Sequence, residues 1–397
     1  ENFQNQRHQT ELSGHFLRKK NTLSSQKTGV NAPESLYHNS FRHATALCKS
    51  APLSRTLRVP VRLCLLFFFS YAIMVRRGCT PPETQKERTL SSKRMPRSTK
   101  MKLATTTSDF SHYANTPAEA IALLAQTPFR NVDLYLPHSF MGEDYRTLIY
   151  DAGNAAAKYG MTFVQSHAGD FFAGNDFMLT SLGRALESCK MLNIPGTVIH
   201  AQGLPGSGYP AGKQAFFDYN LSLYKKLYPL MEKYDIAVYI ENSAEANMGN
   251  SFYFMTGSEM AEFLEKANHP LLRAVWDTGH ANLRGNDQYR DICDLGNRLA
   301  AIHVHDNDGR CDEHTAPFHG TIDLDPVIRG LIDTGFRGCF TFEADNFPLN
   351  DRSWPYTRRD SGSGKIRQVP LAIKLAYESI LYDTGKFLLT SYGIFEP

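Results

Sequence analysis

From Met101 onward the sequence alternates short β-rich runs with longer segments of helical spacing, and it does so eight times. The runs are KLATTT (102–107), NVDLYL (131–136), TFVQSHA (162–168), GTVIHAQ (196–202), AVYIENS (237–243), RAVWDTGHA (273–281), LAAIHVHDND (299–308) and CFTFEAD (339–345). Strands separated by a helix cannot pair as hairpins; they lie parallel, joined by right-handed crossovers. Eight such units in residues 101–397 predict an α/β fold of the (β/α)8 TIM-barrel type. An open doubly wound sheet shows the same alternation, but no Gly-x-Gly-x-x-Gly follows the first run. The helical segments carry their own start signals. Thr116-Pro117-Ala118-Glu119 sets an N-cap, a first-turn proline and a capping glutamate in register, and Thr256 with Glu259 repeats the capping box. Tyr219 to Tyr234 has apolar residues three and four apart, as a core-facing helix does.

Residues 1–100 read as a different object. They hold 18 Lys/Arg against 5 Asp/Glu, whereas residues 101–397 hold 25 against 35. The net charge of +3 therefore conceals a basic leader and an acidic barrel. Residues 1–60 lack a sustained apolar period and cannot bury enough surface to offset their ordering entropy. Residues 63–75 (LCLLFFFSYAIMV) are a single apolar run, short of the about 20 residues that a membrane span needs. The leader is expected to stay outside the working fold, with no membrane role for the barrel. Seven cysteines without a C-x-x-C pair form neither a disulfide framework nor a zinc ribbon, and point to a cytoplasmic chain.

In a TIM barrel the chemistry lies at the C-terminal ends of the strands. Six runs carry metal-capable side chains there: His167, His200, Glu241, Asp277 with His280, His303 with His305, and Glu343, while Asp312 and His314 follow the seventh run. Any one of these could be a satisfied core residue. Convergence of all six on one mouth is hard to obtain by packing alone, because each costs several kcal/mol when buried unpaired. Glu241, Asp277, His305 and Glu343 come from four adjacent strands, and their mainly oxygen donors suit one divalent cation. Mn²⁺ is favoured, with Mg²⁺, Co²⁺ or Zn²⁺ as alternatives. His303 and His305 share a strand face. His305, nearer the catalytic end, is taken as the ligand, and His303 would then sit one layer deeper.

IENS, WDTGHA, HVHDNDGRCDEH with FHGTID, and FTFEAD together resemble the xylose-isomerase-like TIM barrels, and within them the sugar phosphate isomerase/epimerase group. The resemblance covers nearly all of residues 101–397. It implies Glu241, Asp277, His305 and Glu343 as the metal tetrad, with Glu241 and Glu343 also exchanging protons with substrate and His280 contacting a sugar oxygen. The implied activity is a divalent-metal-dependent isomerase or epimerase acting on a sugar or polyol through a stabilised enediolate. Ketose 3-epimerases carry an arginine six residues past the metal histidine and a glutamate six past the first ligand. Here Cys311 and Asn247 stand at those positions, which argues against a free-ketose 3-epimerase.

The chain also resembles the apurinic-site endonucleases, which use three zinc ions. His167, His200, Asp312 and His314 match part of that ligand set, and in the isomerase reading they bind substrate hydroxyls or a second ion. The acidic barrel speaks against a nucleic-acid partner. A metal-dependent carbohydrate lyase on the same site is the other alternative. No run ends in the lysine that a Schiff-base aldolase needs. Gly203 to Gly208 lacks the Lys-Ser/Thr of a phosphate loop and is expected to form a lid. Arg352, Arg358 and Arg359 near Trp354 are expected in a solvated loop, while Trp354, Phe171 and Phe172 either form a wall over a sugar face or pack on neighbouring helices. The stretch 383–397 is where a homo-oligomer would meet its neighbour.

Overall fold

In the computed structural model, which describes residues 100–170, 176–204, 212–248, 251–345 and 369–397, eight parallel strands close on themselves in sequence order. They are β1 (Leu103–Thr106), β2 (Asn131–Tyr135), β3 (Thr162–Asp170), β4 (Gly196–His200), β5 (Ala237–Glu241), β6 (Leu272–Asp277), β7 (Leu299–Val304) and β8 (Phe340–Phe342). Closure comes from β8 pairing with β1, Phe340 opposite Leu103. The helices between and after them are α1 (Pro117–Leu124), α2 (Tyr145–Tyr159), α3 (Asp176–Leu192), α4 (Lys213–Tyr234), α5 (Glu245–Met248), α6 (Gly257–Ala267), α7 (Thr278–Arg284), α8 (Gln288–Leu295), α9 (Leu324–Asp333) and α10 (Leu371–Ser391). The expected (β/α)8 barrel is therefore the fold. Residues 1–99, Phe171, Phe172, Gly206 to Gly208, and Arg352, Trp354, Arg358 and Arg359 lie outside the described residues. Among the described residues no helix is long and apolar enough to cross a membrane.

The expected helix starts form for the stated reasons. Thr116 accepts from the Glu119 N–H, with Pro117 at the first position, and Thr256 with Glu259 makes a reciprocal capping box. One run ends earlier than its residues suggest. WDTGHA leaves the strand at Asp277, and Thr278 onward is α7, because the Asp277 carboxylate accepts the His280 N–H at 2.7 Å and turns the chain into a helix. β8 likewise stops at Phe342; Glu343 follows it, its N–H donating to Val304 O at 3.1 Å.

Alternation along the strands sorts the residues. Outward-facing Leu134, Val238, Ile240, Trp276, Ile302, Phe340 and Phe342 join Phe216, Leu227, Met231, Phe263 and Leu331 of the helices in the main core. Inside the barrel, Val198, Tyr239, Val275 and Ala301 form a buried apolar cluster. One alternation further along their strands stand His200, Glu241, Asp277 and His303. The apolar cluster is a floor, and the polar layer rests on it.

Candidate active site at the barrel mouth

The polar layer is almost entirely buried: Glu241 is 2% exposed, and Asp277, His303 and His305 are 0%. Charges at such depth persist only when paired or metal-bound, and here they pair with one another. His303 Nδ1 lies 2.7 Å from Glu241 Oε1 and 3.1 Å from Glu343 Oε2. His200 Nε2 sits 2.6 Å from Glu241 Oε2, and His167 Nδ1 lies 3.3 Å from Glu343 Oε1. Burial by itself would raise the Glu241 carboxyl, but His303 and His200 hold it well below the ordinary range. Glu343 is held down against burial in the same way by His303 and His167. Burial opposes the charge on His303, yet Glu343 and Glu241 hold its imidazole well above its ordinary value.

The structure regroups the two histidines of β7. Donor atoms of Glu241, Asp277, His303 and Glu343 all lie within 4.8 Å of one another, and those of His280, His305, Asp312 and His314 form a second such group. His303, taken from the sequence as the deeper residue, stands with the three carboxylates, and His305 stands in the second group. The reason is register: β7 ends at Val304, and His303, paired with Asp277, is level with it. His305, just beyond the strand, brings Nε2 to 3.0 Å from Asp277 Oδ1 and stacks on His314 with centroids 3.9 Å apart. Close approach of this ring explains the glycine of Asp-Thr-Gly-His, since a Cβ on Gly279 would lie 1.9 Å from His305 Cε1.

The remaining candidates gather in the same layer. His167 and His200 join Glu241 in a third group, their Nε2 atoms 2.9 Å apart. His280 approaches Asp312 Oδ2 with Nε2 at 3.1 Å and donates from Nδ1 to the Asn242 carbonyl at 2.9 Å. Against burial, Asp277 and Asp312 push the His280 imidazole up to about 10. Asp312 is held well below its ordinary range despite burial, by His280 and His314. Asn247, at the position where ketose 3-epimerases carry a glutamate, donates to Asp312 Oδ2 at 2.9 Å.

Sequence reading missed the groups that hold these side chains in place. Asn242 clamps the Asp277 backbone, accepting its N–H at 2.7 Å and donating to its carbonyl at 2.9 Å. Asp306, 2% exposed, accepts from the backbone N–H groups of Asn307, Phe318, Gly320 and Ile322. That one carboxylate folds the loop bearing Asp312 and His314 back over the mouth, with His314 and Phe318 held at positive φ. Asp133 of β2 and Gln165 of β3 reach His303 from the far side of the barrel. Their signal was a charged and an amide residue inside otherwise apolar strand runs.

A cation suits this donor set. Asp277 Oδ2, Asp312 Oδ1 and both ring nitrogens of His305 are buried with no hydrogen-bond partner among the described residues. Carboxylates and imidazoles brought this close, with atoms left unsatisfied, are what divalent ions of the Mn²⁺ or Zn²⁺ kind take.

Residues 118–360 match the family model of the xylose isomerase-like TIM barrel, and the chain belongs to that family. An uncharacterized protein, MJ1311, of Methanocaldococcus jannaschii is 26% identical over 166 residues, 41% of this chain and 55% of the relative. The inosose dehydratase of Erwinia tasmaniensis is 31% identical over 122 residues, 25% of this chain and 40% of that enzyme. The matched stretches thus span about half or less of these relatives. Among solved structures, D-psicose 3-epimerase of Clostridium cellulolyticum H10 with D-tagatose superposes with a TM-score of 0.56 at 14% identity, covering 73% of this chain and 99% of that one. That likeness is one of fold.

Proposed function

We propose that the chain is a divalent-cation-dependent isomerase or epimerase of a sugar or polyol, in which Glu241 and Glu343 exchange a proton with a substrate carbon. The observation that carries this reading is the convergence of Glu241, Asp277, His303 and Glu343 donor atoms within 4.8 Å. The three carboxylates would hold the ion together with His305, whose ring nitrogens have no hydrogen-bond partner among the described residues; the ion when bound would polarise a substrate carbonyl and its neighbouring hydroxyl and acidify the C–H between them. Glu241 and Glu343 are ionised at neutral pH and so able to accept that proton. Each has its own imidazole, His200 or His167, through which a proton can pass to a substrate oxygen or to water. His280, Asp312 and His314 line the opposite side of the layer and serve as hydroxyl partners. The sugar epimerase fold neighbour and the inosose dehydratase relative support a carbohydrate substrate.

Incubation in D₂O with a panel of ketoses and keto-polyols, with Mn²⁺, Mg²⁺, Co²⁺ or Zn²⁺ supplied in turn, tests the proposal. Deuterium enters one substrate C–H, and Glu343→Gln abolishes the exchange. No incorporation with any sugar, in protein that has bound its cation, would overturn it.

The flanking groups favour a second reading. His167, His200 and Glu241 on one side, and His280, His305, Asp312 and His314 on the other, offer two further places for a cation. Three zinc ions per chain and cleavage of a phosphodiester would support a nuclease-like hydrolase in place of the isomerase. One ion per chain supports the isomerase.

A further inference from the structure

We infer that the substrate carries an uncharged alkyl terminus, about the size of a methyl to isopropyl group, which enters a pocket between the loops that follow β1 and β2. This inference rests on the barrel-mouth site proposed above. It narrows the substrate class to sugars that are deoxygenated or alkylated, and not phosphorylated, at the end that enters.

The pocket, of about 70 Å³, has Phe110, Ala114, Pro117, Ala120, Tyr135 and Phe140 as its apolar walls. It lies beside the polar layer. Asp133, two residues before Tyr135 on β2, reaches His303 inside the barrel, so Tyr135 faces inward too. The Tyr135 ring meets His167 edge-on, with centroids 6.3 Å apart. His167 Nδ1 is in turn 3.3 Å from Glu343 Oε1, so one histidine links the pocket wall to a proton-exchanging carboxylate.

A hydroxymethyl terminus matches these walls poorly. Thr107 Oγ1 already accepts the Tyr135 N–H at 2.8 Å, and Thr116 Oγ1 accepts that of Glu119 at 3.2 Å. A hydroxyl buried there without a partner loses roughly 10–100-fold in affinity. An anion is matched worse. Among the described residues no Lys, Arg or His lines the pocket. The N-terminus of α1, which would otherwise draw an anion, is closed. Pro117 has no N–H, and the Glu119 carboxylate sits there, accepting the Asn115 N–H at 2.7 Å. Lys374, with Nζ 5.7 Å from the Phe110 ring centre, is fully buried and paired with Glu378 at 2.6 Å. An apolar cavity of about 150 Å³ holds benzene, so one about half that size takes a group of up to about three carbons.

Calorimetric binding to the full chain with Mn²⁺ present tests this without turnover. D-fructose, D-psicose, D-tagatose and D-sorbose are each titrated as the free sugar, its terminal deoxy form, its terminal isopropyl ether and its terminal phosphate. For the ketose that binds best, the deoxy form or the ether binds at least about tenfold tighter than the free sugar, and the phosphate binds weakest. Preference for the deoxy form marks a terminal methyl, and preference for the ether an alkyl substituent. Ala114→Leu, which fills the pocket, cuts that advantage about tenfold. Should that variant not fold, Phe140→Ala enlarges the pocket and moves the preference to a butyl ether. Equal binding of all four forms, tightest binding of the phosphate, or no binding of any form would overturn the inference. Selective binding without deuterium exchange would support it and remove the proposed function alone.

Discussion

Asp291 offers a prediction whose size can be worked from the structure. It lies in α8, 7% exposed, and its carboxylate accepts the N–H of Gly257, the first residue of α6, at 2.8 Å. Burial pushes this carboxyl up from 3.8 to about 6; the Gly257 N–H works against the rise, and Asp294 and Asp287 add to it. The folded chain therefore holds this proton more tightly than the unfolded chain does. Stability from this group is fully present below about pH 4 and is lost as pH rises through about 6. A rise of about two units corresponds to about 3 kcal/mol at neutral pH. Asparagine has the same shape, still accepts the Gly257 N–H, and never ionises. Asp291→Asn is thus expected to stabilise the chain at pH 8 by roughly 1–3 kcal/mol and by only about a third as much at pH 4.5. Urea unfolding of both proteins, followed by circular dichroism across that range, measures the difference. A variant less stable at pH 8, or a difference that does not grow with pH, would refute the reasoning.

Two further outcomes follow from the mouth. Gly279→Ala drives a Cβ into the His305 ring, so the stack on His314 opens; a loss of about 1–3 kcal/mol in thermal unfolding and weaker cation retention are expected. His280 is protonated up to about pH 10 while no cation is bound, so an ion taken by His280, Asp312 and His314 must expel that proton. Its affinity should rise at least about tenfold per pH unit between pH 6 and 9, because against burial Asp312 also holds the His314 imidazole well above its ordinary value; calorimetry in buffers of different ionisation heat detects this as proton release, and pH-independent binding would exclude His280 as a ligand.

The barrel was legible because each of its eight units is written locally. Alternating and continuous apolar runs mark strands, capping residues such as Thr256 mark helix starts, and parallel pairing follows from the helix between. The strand-end acids and imidazoles were legible for the same reason, since the end of each run places its last polar residue at the mouth. Which of the two β7 histidines groups with the three carboxylates was not legible. It depends on where β7 stops and on the stagger between β6 and β7, which no single run encodes. Asp277 shows the same limit: its run continues past it in sequence, while its own carboxylate ends the strand.

What the residues alone decide here is the kind of fold and the stock of donors brought to one end of it. What tertiary structure decides is which donors share a site. Asp133 and Glu241 are more than a hundred positions apart, yet both meet His303, because closing β8 onto β1 turns eight separate strands into one ring with a common interior. Strand order and alternation are properties of short stretches of chain. Distances across a closed barrel are properties of its tilt and stagger, and those exist only once all eight strands are in place.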